Sequence, residues 1–222
     1  MDKEMYIVIP TYNESKVIGQ VLAELHRYGF DRCIVVDDGS TDDTFIKAKE
    51  GGATVLRHIL NRGKGASIKT GIEAAKLLGA RGVITFDGDG QHEPKDIKNM
   101  IKLLDSYDVV LGKRNFTQKH IPIAKKIGNW FGNLLTWLIY GLWVQDSQSG
   151  MRSYSKKALD LIEIFADRYE YDSEIMREIV RHKLKYTEMP ISVRYTHYSQ
   201  NKTNRQSYLG AVKTMLKMLL SG

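Results

Sequence analysis

Val83-Ile84-Thr85-Phe86-Asp87-Gly88-Asp89-Gly90-Gln91-His92 is a short apolar run that ends abruptly in two carboxylates separated by one glycine. Val83, Ile84 and Phe86 read as a buried strand, and Gly88 and Gly90 let the chain turn tightly as it leaves the sheet. The acids are thereby delivered to the carboxyl edge of a strand, where open α/β sheets bind their ligands. Oxygen donors this close together suit Mg²⁺ or Mn²⁺, which take one or two carboxylates and keep positions for water and substrate phosphates. An isolated D-x-D is more often a solvated acidic turn, so the flanking chain decides between the two.

Working outward, the same strand-then-turn rhythm recurs. Residues 5–10 form a continuous apolar run closed by Pro10, as expected of a strand buried on both faces. Asn13 is placed to cap the next helix, whose apolar positions Val17, Ile18, Val21, Leu22 and Leu25 recur at helical spacing until Gly29. Residues 33–36 read as a second strand, ending in Asp37-Asp38-Gly39-Ser40-Thr41-Asp42. Strands follow at 53–56, 83–86 and 109–111, with helices at 67–78 and 94–104. This alternation predicts an α/β fold with a doubly wound, mostly parallel sheet, because parallel neighbours need helical crossovers.

In such a sheet the turns carrying Asp37-Asp38 and Asp87-Asp89 share one edge, which favours a site over a solvated turn. Asn61-Arg62-Gly63-Lys64-Gly65 follows the third strand and opens a helix, so its glycines and cation are placed to meet a phosphate at a helix N-terminus. Lys64 reads equally as a solvated surface lysine. The spacing G-x-x-x-x-G-K-[ST] is missing and no G-x-G-x-x-G follows the first strand, which argues against a phosphate-loop NTPase and a dinucleotide dehydrogenase.

At 222 residues, 42% hydrophobic and 27% charged, the chain can bury one sizeable core, and a single domain is expected. Cys33 is the single cysteine, so a disulfide framework is excluded and a buried thiol in a reducing cytoplasm is expected. No charged leader followed by an apolar segment precedes the first strand, so no signal peptide is expected. The net charge of +7 and pI near 9.3 suggest polyanionic partners. The basic residues are scattered and carry no zinc-finger, RRM or KH signature, which sets nucleic acid aside. The apolar run 134–144 is far short of the ~20 residues a spanning helix needs. With Trp130, Trp137 and Trp143 and the lysines at 125 and 126, that region reads either as an interfacial helix or as a core helix on the sheet.

Seven pieces in order carry a family resemblance: Ile9-Pro10-Thr11-Tyr12-Asn13-Glu14, Val35-Val36-Asp37-Asp38-Gly39-Ser40-Thr41-Asp42, Asn61-Arg62-Gly63-Lys64-Gly65, Asp87-Gly88-Asp89-Gly90-Gln91, Gly112-Lys113-Arg114, Asp146-Ser147-Gln148-Ser149-Gly150-Met151-Arg152 and Glu188-Met189-Pro190-Ile191. Together they resemble the family 2 inverting glycosyltransferases of the GT-A type, and within them the polyprenyl-phosphate glycosyltransferases related to dolichol-phosphate mannose synthase. The resemblance covers about residues 6–202. It implies a Rossmann-like catalytic domain over 1–202, followed at 203–222 by an amphipathic C-terminal helix whose apolar stripe suits a membrane surface or a homodimer interface.

The resemblance also implies roles. A UDP- or GDP-sugar would lie across the strand ends, with Pro10, Tyr12 and Glu14 beside the base and Asp37 or Asp38 on base and ribose. Asp87, Asp89 and Gln91 would hold Mg²⁺ or Mn²⁺ on the diphosphate, assisted by Lys64. Arg114 would meet the phosphate of a polyprenyl acceptor, with Lys125 or Lys126 standing in for the family's second phosphate-binding arginine. Asp146, beside Ser149, would act as a base or only orient groups. Lys202 survives from a family ending whose glycine and serine are missing here. The implied reaction moves a hexose, with inversion, to a polyprenyl phosphate, by an enzyme peripheral to the cytoplasmic face of a membrane. Two alternatives stand beside it: transfer to a hydroxyl of a soluble or polymeric glycan, and a sugar-nucleotide-binding protein without catalysis.

Overall fold

The computed structural model describes residues 4–114, 130, 133, 134, 136–168 and 170–194. The expected helix at 203–222 and the candidates Lys125, Lys126 and Lys202 lie outside the described residues. Along the chain run β1 (Met5–Thr11), α1 (Ile18–Arg27), β2 (Cys33–Asp37), α2 (Thr44–Glu50), β3 (Thr54–Arg57), α3 (Lys64–Leu77), β4 (Gly82–Thr85), α4 (Ile97–Leu103), β5 (Val109–Arg114), β6 (Arg152–Ser155), α5 (Lys156–Leu161), α6 (Tyr171–Arg181) and β7 (Tyr186–Ile191). The strands form one seven-stranded sheet in the order β3-β2-β1-β4-β6-β5-β7. All neighbouring pairs are parallel except those of β6, which runs antiparallel to both β4 and β5.

The central strands β1, β2 and β4 are buried along nearly their whole length because both faces are covered. Ile7, Ile9, Val35, Ile84 and Phe86 pack with Ile18, Leu22 and Leu25 of α1 and Ile97 and Met100 of α4. The alternate residues Val8, Ile34, Val36 and Val83 pack with Ile68, Ile72 and Ala75 of α3 and Ile175 and Ile179 of α6. This period-2 division puts one row on each face, and each fully buried aliphatic side chain contributes roughly 1.5–3 kcal/mol. Cys33 is buried in the first of these layers, where desolvation pushes its thiol up to about 12.

Chain order reverses between β1 and β4: β2 and β3 lie to one side of β1, and β4 to the other. Loops leaving β1, β2 and β4 therefore splay around one crevice, the place where doubly wound sheets bind ligands. The antiparallel β6 begins at this same edge, with Arg152 beside Thr85, so residues 146–151 are fed back onto the crevice. Two expected details differ. Asn13 does not cap α1: its φ is +55°, and the turn into the helix is made by Val17 and Ile18 donating to the Glu14 carbonyl. The helix expected over 94–104 is a 3₁₀ turn (Pro94–Asp96) leading into α4.

Candidate active site

The first two loops of the crevice are stitched to each other. Asn13 donates its N–H to Ser40 Oγ at 2.9 Å and accepts the Thr41 N–H on Oδ1 at 2.9 Å. Glu14 N–H donates to Thr44 Oγ1 at 2.8 Å, and Ser15 N–H to Asp42 Oδ2 at 3.2 Å. Pro10 and Tyr12 are half-buried along this seam and Glu14 is buried. These residues are brought together where a base is expected.

Asp37 and Asp38 are both buried, and both carboxylates organise loops. Asp37 accepts the Ser40 N–H at 3.0 Å and lies 3.2 Å from Arg57 Nε. Asp38 accepts the N–H of Arg62 at 2.9 Å and of Gly63 at 2.7 Å, and pairs with His58 Nδ1 at 2.7 Å. The other nitrogen of His58 lies 3.0 Å from Thr70 Oγ1 on α3. Asp38 thus holds the loop that starts α3, where Gly63 adopts φ +115° as the N-cap. That φ belongs to the left-handed region a side chain would strain.

Lys64, the first residue of α3, places Nζ 2.6 Å from Asp87 Oδ1, while His92 Nε2 lies 3.2 Å from Asp87 Oδ2. Burial raises the Asp87 pKa, but Lys64 and His92 outweigh it and hold the carboxyl well below the usual carboxylate range. Burial lowers the Lys64 pKa, and Asp87 and Asp172 more than reverse that, keeping the ammonium charged. Gly150 backs this pair: a Cβ there would stand 2.4 Å and 2.6 Å from the Asp87 oxygens and 2.6 Å from Lys64 Nζ. Asp89 is engaged with Gln91, which donates its N–H to Oδ1 at 3.0 Å and its Nε2 to Oδ2 at 2.6 Å.

Asp146, fully buried, accepts from Arg114 three times: from Nε at 2.7 Å, from the guanidinium NH2 at 2.8 Å and from the backbone N–H at 3.0 Å. Glu188 on β7 accepts the N–H groups of Gln145 at 2.8 Å and Asp146 at 3.3 Å, fixing the approach to this pair. Ser149 is buried and its Oγ has no hydrogen-bond partner among the described residues.

Several participants carried no sequence expectation. His92 is buried against Phe86 and closes over Asp87. Arg152, also buried, donates to the Ser147 carbonyl at 2.7 Å and to Asp172 Oδ1 at 2.7 Å, anchoring the start of β6 to α6. Burial raises the Asp172 pKa against the pull of Arg152, Lys64 and Arg114, which places these charges in one electrostatic neighbourhood. His92 stands beside the D-x-D, and that adjacency was the available signal; Asp172 lies on a helix with no motif.

Among the described residues no three His, Cys, Asp or Glu side chains form a ready metal cluster. The oxygen donors Asp87, Asp89 and Gln91 do share one turn, and that donor set fits a hard divalent ion. In the run 134–144, Thr136, Leu142 and Val144 are buried, the last two in the core, while Trp137, Leu138 and Trp143 are exposed.

The profile of Glycosyl transferase family 2 matches residues 6–162. An uncharacterized protein of Methanocaldococcus jannaschii is 41% identical over 98% of this chain and 91% of its own length. The UDP-N-acetylglucosamine–dolichyl-phosphate N-acetylglucosaminyltransferase of Methanococcus voltae is 38% identical over 89% of this chain and 88% of that protein. Among solved structures, the glucosyl-3-phosphoglycerate synthase of Mycobacterium tuberculosis, in complex with Mn²⁺, UDP and phosphoglyceric acid, matches with a TM-score of 0.72 at 19% identity, over 98% of this chain and 77% of that one. The two share the GT-A fold.

Proposed function

This chain belongs to glycosyl transferase family 2 and is a glycosyltransferase; from that premise we propose that it transfers a hexose, with inversion, from a nucleoside-diphosphate sugar to a polyprenyl phosphate. The observation that carries this reading is the pairing of two cation–carboxylate units at one sheet edge, Lys64 with Asp87 and Arg114 with Asp146. The first suits the donor diphosphate and the second an anionic acceptor, since a guanidinium matches phosphate geometry. The named activity of the Methanococcus voltae relative supports a dolichyl-type acceptor and, of the two candidate donors, the UDP-sugar.

In this mechanism the stitched loops at Pro10, Tyr12 and Glu14 seat the base, and Asp37 and Asp38 keep that seat shaped. Arg114 receives the lipid phosphate, with Ser149 Oγ a further donor. A phosphate oxygen attacks the anomeric carbon from the face opposite the nucleotide; the bond from that carbon to the diphosphate oxygen breaks, and its electron pair leaves with the nucleoside diphosphate. The acceptor is already an anion at neutral pH, so Asp146 takes no proton and positions Arg114. Asp87, Asp89 and Gln91 would hold Mg²⁺ or Mn²⁺, which offsets charge on the leaving diphosphate. Trp130, Trp137, Leu138 and Trp143 are exposed and suit a headgroup layer, which supports an enzyme peripheral to a membrane; the proposed location is its cytoplasmic face.

The test is an extraction assay: radiolabelled UDP- and GDP-sugars, a polyprenyl phosphate in detergent and Mg²⁺ or Mn²⁺, with a parallel EDTA sample. Label is expected in the organic phase with a UDP-sugar, and EDTA is expected to remove it. If no label moves into lipid while a glycan acceptor is labelled, the acceptor is a hydroxyl and the lipid reading is wrong.

A further inference from the structure

The Asp87 carboxylate is already neutralised by a side chain of the chain itself. Lys64 Nζ sits 2.6 Å from Oδ1, and the two side chains keep 22% and 26% of their surface exposed, so both reach the open face of the crevice. The root of Lys64 does not move freely: Asp38 holds the N–H groups of Arg62 and Gly63, and the Ala66 N–H donates to the Asp167 carbonyl at 2.9 Å. Its four-carbon stem can still swing the ammonium by several ångströms about that root. Gly150 provides the room, because a Cβ there would collide with the ammonium and both carboxylate oxygens.

A divalent ion bound at Asp87 and an ammonium 2.6 Å from the same carboxylate repel each other and compete for one negative charge. An arriving diphosphate offers Lys64 a partner of higher charge than one carboxylate, and once Lys64 turns to it, Asp87 becomes available beside Asp89 and Gln91. Building on the proposed donor site, we propose that Lys64 is the resident counter-ion of Asp87 and is exchanged for the divalent ion when the nucleotide diphosphate binds. Metal and nucleotide then bind with positive coupling, and by linkage each raises the other's affinity by the same factor.

The experiment measures Mn²⁺ binding to the whole protein by the paramagnetic resonance signal of free Mn²⁺, with and without UDP and, in parallel, GDP. The variants are Lys64→Met, which keeps the stem and removes the charge, and Lys64→Arg, which keeps the charge. The wild type is expected to bind Mn²⁺ weakly alone and more tightly with nucleotide, by a factor within the roughly 5- to 150-fold range usual for coupled sites. Lys64→Met is expected to bind Mn²⁺ about tenfold more tightly than wild type without nucleotide and to lose most of the coupling. Lys64→Arg should stay close to wild type. Unchanged or weaker nucleotide-free Mn²⁺ binding in Lys64→Met overturns the exchange while leaving the metal site and the transferase reading standing. Absence of Mn²⁺ binding in wild type with either nucleotide overturns both the exchange and the metal site. Circular dichroism of each variant distinguishes these outcomes from failure to fold, and should Lys64→Met fail to fold, Lys64→Gln replaces it in the same comparison.

Discussion

Asp146 spends both carboxylate oxygens on one guanidinium and on the backbone N–H of the same residue. A proton accepted from a substrate would weaken its hold on Arg114, so in the proposed mechanism Asp146 aims that side chain and does not act as a base. Asp146→Asn keeps the shape but turns an N–H₂ group toward the guanidinium. Because a hydrogen bond to a charged group contributes about 1.5–3 kcal/mol, KM for the lipid acceptor should rise roughly 10- to 100-fold. kcat at saturating acceptor should stay close to wild type. A collapse of kcat at saturating acceptor with KM unchanged would make Asp146 a base and refute the positioning role. The pairing itself could not be read from the chain, since 114 and 146 belong to separate motifs and meet because β6 re-enters the sheet beside β5. Lys64 and Asp87 were legible as neighbours at one edge, whereas their direct contact depends on the backbone of Gly150, a residue without a side chain to announce it.

At the scale of elements, the loop between β3 and α3 takes most of its side-chain hydrogen bonds from one buried carboxylate just after β2. Asp38 satisfies two backbone N–H groups and His58, and His58 continues to Thr70 one and a half turns into α3. Replacing Asp38 by Ala strands those donors, each costing about 1–3 kcal/mol where buried. Urea unfolding should show a loss of at least that size, and hydrogen exchange should accelerate first at the amides of Arg62 and Gly63. Exchange unchanged at those two amides would mean the loop is held by its packing on residues 166–168 instead. Of the parallel elements, β1, β2, β4 and β5 were legible because buried strands leave continuous apolar runs, and β3, a half-exposed edge strand, was legible from Val55-Leu56 between turns. β6 and β7 were not: Arg152-Ser153-Tyr154-Ser155 is polar in composition, and its arginine is buried only because Ser147 and Asp172 receive it. β7 carries Pro190 within Tyr186–Ile191, tolerable because this strand pairs with β5 at the end of the sheet.

Across the whole molecule, Asp37, Asp87, Asp146 and Asp172 at the crevice are each answered by an internal cation, so the net charge of +7 is carried largely by other residues. A cationic protein is drawn to anionic lipid by an attraction that fades beyond the ~8 Å Debye length of physiological salt. Trp137 and Trp143 meet edge to face at 6.3 Å between ring centroids, and both stay about half exposed while Leu142 and Val144 beside Trp143 are buried. Such exposed indoles gain roughly 1 kcal/mol each if a headgroup layer covers them. Sedimentation with vesicles containing phosphatidylserine should therefore capture the protein, and vesicles of phosphatidylcholine alone should capture less. The double change Trp137→Ser with Trp143→Ser should weaken capture roughly 30-fold on both vesicle types, since it removes apolar burial and leaves charge untouched. Raising salt should act the other way round, weakening capture only on the anionic vesicles. Equal capture of wild type and double variant would show that the indoles serve another surface, and the lipid acceptor would then have to reach Arg114 without the protein seating itself through this face.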